Sequence, residues 1–270
     1  MHRRRLRHSE EFMIDYIYDG SFDGLLTVIW HHYYTDRAAG IFTEDRYQPS
    51  FLQGSRNVMT DPQKADRVYR AIRQKISEHD LRSVYRAYLS CDPEKEIKIL
   101  RYVVLGFKLG HRTFSLHSDP VVADFQAILK KISKEQERMM QFVRFSVMEG
   151  DILYARIEPD NDVIELAAPH FCDRFHRERF IIHDVGRDKA VLASSGRWLV
   201  SAFALSQAPK ASAEERDFRQ LWKTYFDHIA ILERTNARCQ NNFIPDRYRK
   251  HLTEITTPAS RQEGPEGEII

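Results

Sequence analysis

The side chains of this chain that could do chemistry are arginines, histidines and one well-placed carboxylate. The stretch from Gln136 to Lys189 brings several of them together. Arg144, Arg156, Arg174 and Arg187 recur on the side of that stretch that the pattern leaves exposed. Arginine there suits phosphate oxygens, because its planar fork donates two parallel hydrogen bonds. His170, His183 and Asp184 are the groups available for proton transfer, with Glu137 a further carboxylate. Asp184 equally suits a turn into Gly186. A second basic run follows a long C-terminal helix. Between Arg234 and Lys250 there are five Lys/Arg against the single acid Asp246, interleaved with Gln240, Asn241, Asn242 and Tyr248. Arg234, Arg247 and Tyr248 there combine charge with an aromatic ring, which suits phosphate contact and base stacking. Asn236 continues the apolar period of the preceding helix, so its amide must find partners or point into a site. A solvated basic face is the plainer alternative.

Other reactive types carry less. His31 and His32 are adjacent and cannot share a helix face. Cys172 and His176 are spaced i,i+4, but two ligands are too few for a metal site and no third is indicated. Cys91, Cys172 and Cys239 are odd in number and widely separated, which fits a reducing compartment rather than a disulfide framework. No C-x-x-C spacing is present. No metal or cofactor is expected, and catalytic residues are unassigned. The formal net charge is only +2, so any preference for anions must be local. No apolar run approaches the ~20 residues that a membrane span requires. These features together place the chain in the cytoplasm, with no membrane partner.

The elements that position these residues follow from periodicity. Met13–Tyr18 is rich in β-formers and reads as a strand. Ser21 caps a helix whose face carries Phe22, Leu25, Leu26, Ile29 and Tyr33. From Thr35 to Thr60 the pattern is poor and reads as loop with short pieces of structure. Asp61-Pro62, Asp92-Pro93 and Asp119-Pro120 each place a capping Asp before a Pro that suits the first helical turn. The apolar stripes after them read as core and carry no assigned chemistry. Ser133 and Gln136 suggest a capping box opening a further short helix. The period then drops to two. Glu149-Gly150-Asp151 makes a three-residue hairpin loop that sets Met148 against Ile152, Ser146 against Tyr154 and Arg144 against Arg156. Two opposed arginines would call for a carboxylate, such as Glu158, or for a bound anion. A helix from Asn161-Asp162 to about Phe175 and three more strands complete a β-β-α-β-β-β unit. Ser212 and Glu215 cap a long helix striped with Phe218, Leu221, Trp222, Tyr225, Ile229 and Leu232.

The expected fold class is therefore α+β. Residues 13–141 form a mainly helical N-terminal half, and residues 142–255 hold a mostly antiparallel sheet unit with a C-terminal helix packing back. Residues 1–12, which hold Arg3, Arg4, Arg5 and Arg7, read as a basic extension before an early start, and 256–270 as a disordered tail.

The strings MIDYIYDGSFDGLLT, QFVRF…ILYARIEP, HFCDRF…FIIHDVGR and LWKTYF…ILERTNARCQNNFIPDRYRKHLTE occur in this order. In them the chain resembles a bacterial family described as probable DNA metabolism proteins, a domain of unknown function. The resemblance spans roughly Met13 to Ile255. It implies a link to a radical-SAM protein of DNA modification or repair, and in some relatives a fusion to a uracil-DNA-glycosylase-like domain. With 15 residues after Ile255, the fused domain is not expected in this chain. Motif by motif, the resemblance puts weight on Arg144, Tyr154, His170, Phe171, Arg174, Asp184 and Arg187. Towards the C-terminus it weights Trp222, Lys223, Arg234, Asn236, Pro245 and Arg247. The expectation that follows is a DNA-binding accessory protein in bacterial DNA repair or modification, presenting DNA to a radical-SAM partner. The alternatives are an enzyme acting on nucleic acid, of glycosylase or nuclease type, and a scaffold that binds only protein.

Overall fold

The computed structural model describes residues 13–51, 53–229 and 246–252. The chain divides into two compact units, 1–133 and 134–270, and is α+β throughout.

The first unit is built on a three-stranded parallel sheet. β1 (Met13–Tyr18) is central, with β2 (Arg37–Thr43) on one side and β3 (Ser55–Asn57) on the other. Parallel neighbours need a crossover, and α1 (Phe22–Tyr34) supplies it between β1 and β2. The two strands lie in the segment whose residue pattern reads as loop. Arg37–Gly40 and Ser55–Asn57 carry few β-formers, so their extended shape is imposed by pairing with the β1 backbone. β1 itself is anchored by its tyrosines. The Tyr16 hydroxyl donates to the Asp36 carbonyl at 2.9 Å, and the Tyr18 hydroxyl to the buried carboxylate of Glu96 at 3.1 Å.

Helices α2 (Pro62–Lys75), α3 (Glu78–Tyr88) and α4 (Lys95–Leu109) follow. The Asp61 carboxylate accepts from the N–H groups of Gln63 and Lys64, and Asp119 from those of Val121 and Val122, as their sequence positions predict. Asp92 departs from that rule. α4 starts two residues later than an Asp cap would place it, and Asp92 instead accepts from Glu94 N–H and from Lys98. α5 (Pro120–Phe142) runs without a break through Ser133 and Gln136. No second helix starts there. The Ser133 hydroxyl accepts from Arg86, and the Gln136 amide donates to the Leu166 carbonyl, so both side chains serve tertiary contacts rather than a cap.

The second unit holds a five-stranded sheet in chain order: β4 (Ser146–Met148), β5 (Ile152–Ile157), β6 (Arg179–Asp184), β7 (Lys189–Ser194) and β8 (Arg197–Ala202). Three of its four pairings are antiparallel. β5 and β6 are parallel, joined through α6 (Ile164–Arg174), which makes the sheet mixed. The β4–β5 register is the one the loop length sets, with Met148 against Ile152 and Ser146 against Tyr154. The β7–β8 turn is Ser195-Gly196, both at positive φ (51° and 71°), the twist a two-residue hairpin requires. Under α6, Phe145 meets Phe171, Phe175 and Phe180 edge-on at 5.0 to 5.8 Å.

α7 (Ala213–Ile229) is tied to β4 by polar groups. Glu215 accepts the Val147 N–H, and Arg219 reaches Glu215 and the Ser146 hydroxyl. Of its apolar stripe, Phe218, Leu221 and Trp222 are 63%, 68% and 41% exposed, and the side chains of Tyr225, Ile229 and Leu232 lie outside the described residues. A last helical turn, α8 (Asp246–Arg249), closes the described chain.

Candidate nucleic-acid interface

The residues expected at the site divide sharply by burial. His183 and Asp184, at the end of β6, are wholly buried. His183 Nδ1 lies 2.7 Å from the Tyr154 hydroxyl, itself 3% exposed. Burial, helped by the nearby Arg156 charge, holds the imidazole below its ordinary pKa, so it is neutral near pH 7. Asp184 is pushed up by burial and held back in part by the Arg187 guanidinium, which donates to its Oδ2 at 2.9 Å. Arg187 also donates to the carbonyls of Pro159 and Asp160. It staples the loop after β5 to the end of β6. These three residues were expected as acid, base and phosphate contact. In the fold His183 and Asp184 are buried, and Arg187 is engaged with Asp184 and with two loop carbonyls.

Tyr248 is buried as well. It is 4% exposed, and its hydroxyl donates at 2.6 Å to Glu135, which is buried on α5. Glu135 also accepts the N–H groups of Asp160 and Asn161. Burial alone would raise this carboxyl, but those donors together hold it below its ordinary value. Neither Tyr248 nor Tyr154 therefore offers a ring face for stacking.

Arg144 does not oppose Arg156. β4 starts at Ser146, two residues too late, and Arg144 Nη1 turns back to the Gln141 carbonyl at the end of α5. Arg156 is exposed on β5, close enough to disfavour protonation of both His183 and His251. Glu158 is taken by Lys250 and by His251 rather than by an arginine pair. Arg174 and His170 are exposed on α6, with the Arg174 guanidinium 5.6 Å from the Phe175 ring centroid. Arg234 and Asn236 lie outside the described residues, as does the side chain of Arg247 on α8.

A basic and aromatic surface does form, in the first unit. Trp30, Tyr33 and Tyr34 stand at i, i+3 and i+4 and so share one face of α1. Arg67, Arg70 and Gln74, at i, i+3 and i+7, share one face of α2. α1 and α2 pack side by side. Between them, with Phe107 of α4 at one end, lies an open groove of about 480 Å³. Tyr34 is 59% exposed and stacks on Trp30 at 4.6 Å, with 25° between the rings. Tyr33 meets Phe107 edge-on at 5.8 Å. Three cations sit against these rings: Lys64 at 4.6 Å from Trp30, Arg67 at 5.5 Å from Tyr34 and Arg37 at 5.8 Å from Tyr33. Arg70 and Lys75 add positive charge to the lining, and Asp66, paired with Arg70, is its one acid. Exposed rings flanked by cations can hold a planar π system and an anion together.

The two adjacent histidines are absorbed into local structure beside this groove. His32 Nδ1 accepts the Ala38 N–H, while His31 sits between Thr35 and the Lys64 ammonium, whose charge adds to burial in lowering its pKa. Among the described residues no cluster of His, Cys, Asp or Glu could hold a metal ion. No helix among them is long and apolar enough to cross a membrane. The groove was not legible in the sequence, because Tyr33 reads as part of the apolar face of α1 and nothing local marks the packing of α2 beside it. The available signal was three large aromatics at the end of a helix whose apolar demand Leu25, Leu26 and Ile29 already meet.

The fold and this surface define an α+β protein with an aromatic, cationic groove on its N-terminal unit. Residues 93–254, 162 of the 270, match a family model described as a domain of unknown function, DUF4130, and the chain belongs to that family. The matched span takes in α4 and the whole five-stranded sheet, while α1 and α2 lie outside it. No curated protein matches the chain.

Proposed function

We propose that this chain is a DNA-binding accessory protein of bacterial DNA repair or modification, and that the groove between α1 and α2 is where DNA binds. The observation that carries this reading is a groove lined by Arg67, Arg70 and Lys75 together with the exposed Tyr34 ring, which Arg67 contacts directly. Phosphate contacts supply affinity and aromatic faces supply base contact, and both are present in one groove. The exposed arginines Arg156 and Arg174 add positive charge on the second unit.

The finer part of the proposal rests on the resemblance in ordered motifs. It holds that the bound DNA is presented to a radical-SAM protein of DNA modification or repair. The burial of His183 and Asp184 weakens the glycosylase or nuclease alternative, since neither group reaches a substrate from a wholly buried position. The protein-only scaffold keeps some support from β8, where Trp198, Leu199 and Val200 are 39%, 56% and 36% exposed.

The test is fluorescence anisotropy of the full chain with labelled DNA across a salt series. Affinity is expected to fall as salt rises, and Arg67→Ala with Arg70→Ala is expected to flatten that dependence by roughly 0.7–0.9 in log–log slope per residue. Absence of binding at low salt would move the function to the scaffold reading. Recovery of a radical-SAM protein with the tagged chain would support the partner assignment, and its absence from such a preparation would count against it.

A further inference from the structure

We infer that the groove takes an unpaired base of single-stranded DNA, laid on the Tyr34 ring with its phosphates toward Arg67, Arg70 and Lys75, an inference that rests on the DNA-binding reading above. Three features lead to it. The first is the exposure of the platform. Tyr34 ends α1 and is 59% exposed, and Trp30 stacked behind it holds the ring in place. A paired base in a duplex keeps its faces inside its own stack, so an exposed ring serves only a base that has left it.

The second feature is size. About 480 Å³ is the scale of a small-molecule pocket, while a duplex would need a broad shallow surface or a protruding helix. The third is how the cations are held. Arg67 makes a cation–π contact with Tyr34, and its guanidinium can stay on the stack or turn to a phosphate when a base arrives. Among the described residues Arg70 is paired with the exposed Asp66, an i,i+4 contact that solvent screens. Both are available to an anion at little cost. Stacking on a ring face is open to every base, so stacking strength is expected to set the preference of the groove more than sequence does.

The experiment compares three labelled probes with the full chain at one low salt concentration: a dA 12-mer, its blunt duplex, and a 12-mer of the same length whose central sites are abasic. The dA strand is expected to bind at least about tenfold tighter than the duplex and the abasic strand. Tyr34→Ala is expected to weaken the dA strand by about 5- to 150-fold and leave the abasic strand unchanged, whereas Tyr34→Phe keeps the ring and the affinity. Equal binding of all three probes, with Tyr34→Ala silent, would overturn the single-strand inference and leave DNA binding standing. Binding to none of the probes would overturn both.

Discussion

At the residue scale, burial separates the groups that hold this protein together from those that can act. Arg187 spends its guanidinium on Asp184 and on two loop carbonyls. Arg187→Ala leaves the wholly buried Asp184 without its cation and is expected to destabilise the protein by about 3 kcal/mol or more. Arg187→Lys should not restore it, because an ammonium cannot span the same fork. Denaturant midpoints of the two variants check this, and a wild-type midpoint in either would return Arg187 to the list of phosphate contacts. Glu135 makes a pH prediction. Its folded carboxyl ionises below the ordinary value, so it adds stability that is complete above about pH 4.3 and is lost as pH falls through the depressed folded value. Glu135→Gln should remove that part of the acid dependence. Tyr248→Phe, which deletes one charge-assisted hydrogen bond, should cost about 1.5–3 kcal/mol at neutral pH. Melting curves taken between about pH 6 and about pH 3 would reveal an unchanged acid limb in the Gln variant if Glu135 were not responsible.

At the element scale, α4 sits close against the residue that follows α2. A Cβ built on Gly106 would come within 2.4 Å of Ile76 Cδ1 and 3.2 Å of its Cγ1. Gly106→Ala therefore sets a gain of about 1 kcal/mol in helix propensity against about 1–3 kcal/mol of overpacking. The expected result is no net gain, or a loss. Adding Ile76→Val deletes the Cδ1 carbon and should release the propensity gain, so the double variant is expected to be more stable than the two single effects sum to. Strict additivity in a double-mutant cycle would show that the contact is relieved some other way. The same scale explains α7. Its cap was legible, since Glu215 N–H donates to the Ser212 hydroxyl as the spacing implies. Its facing was not, because the ties to β4 come from Glu215 and Arg219 and leave Phe218 and Leu221 in solvent.

At the scale of the whole molecule, a formal net charge of +2 gives little long-range attraction for DNA. Binding through the groove then reports only its own cations. With Arg67, Arg70 and Lys75 as three phosphate contacts, the expected slope of log affinity against log salt for a single strand is about −2. A slope several units steeper would mean that cations outside the groove engage the strand. Arg156 and Arg174 would then be the next residues to substitute.

The residues by themselves determined most of the elements. Local rules were enough where a cap, a proline or a turn geometry is set by neighbours in the chain. Asp61 and Asp119 open their helices, and the loop Glu149-Gly150-Asp151 fixes the β4–β5 register. The α+β class followed from the change of period after Phe142. Tertiary structure decided what those local rules do not contain. β2 and β3 are extended because β1 offers them backbone partners, not because Arg37–Gly40 or Ser55–Asn57 favour strands. Tyr248, His183 and Asp184 look like site residues in one dimension and are buried in three, and Arg187 is hydrogen-bonded to two loop carbonyls. Tyr33 reads as part of an apolar helix face, and the packing of α1 beside α2 leaves it lining a groove with Trp30 and Tyr34. Burial is a property of where distant segments meet, and a side chain's type constrains it only weakly.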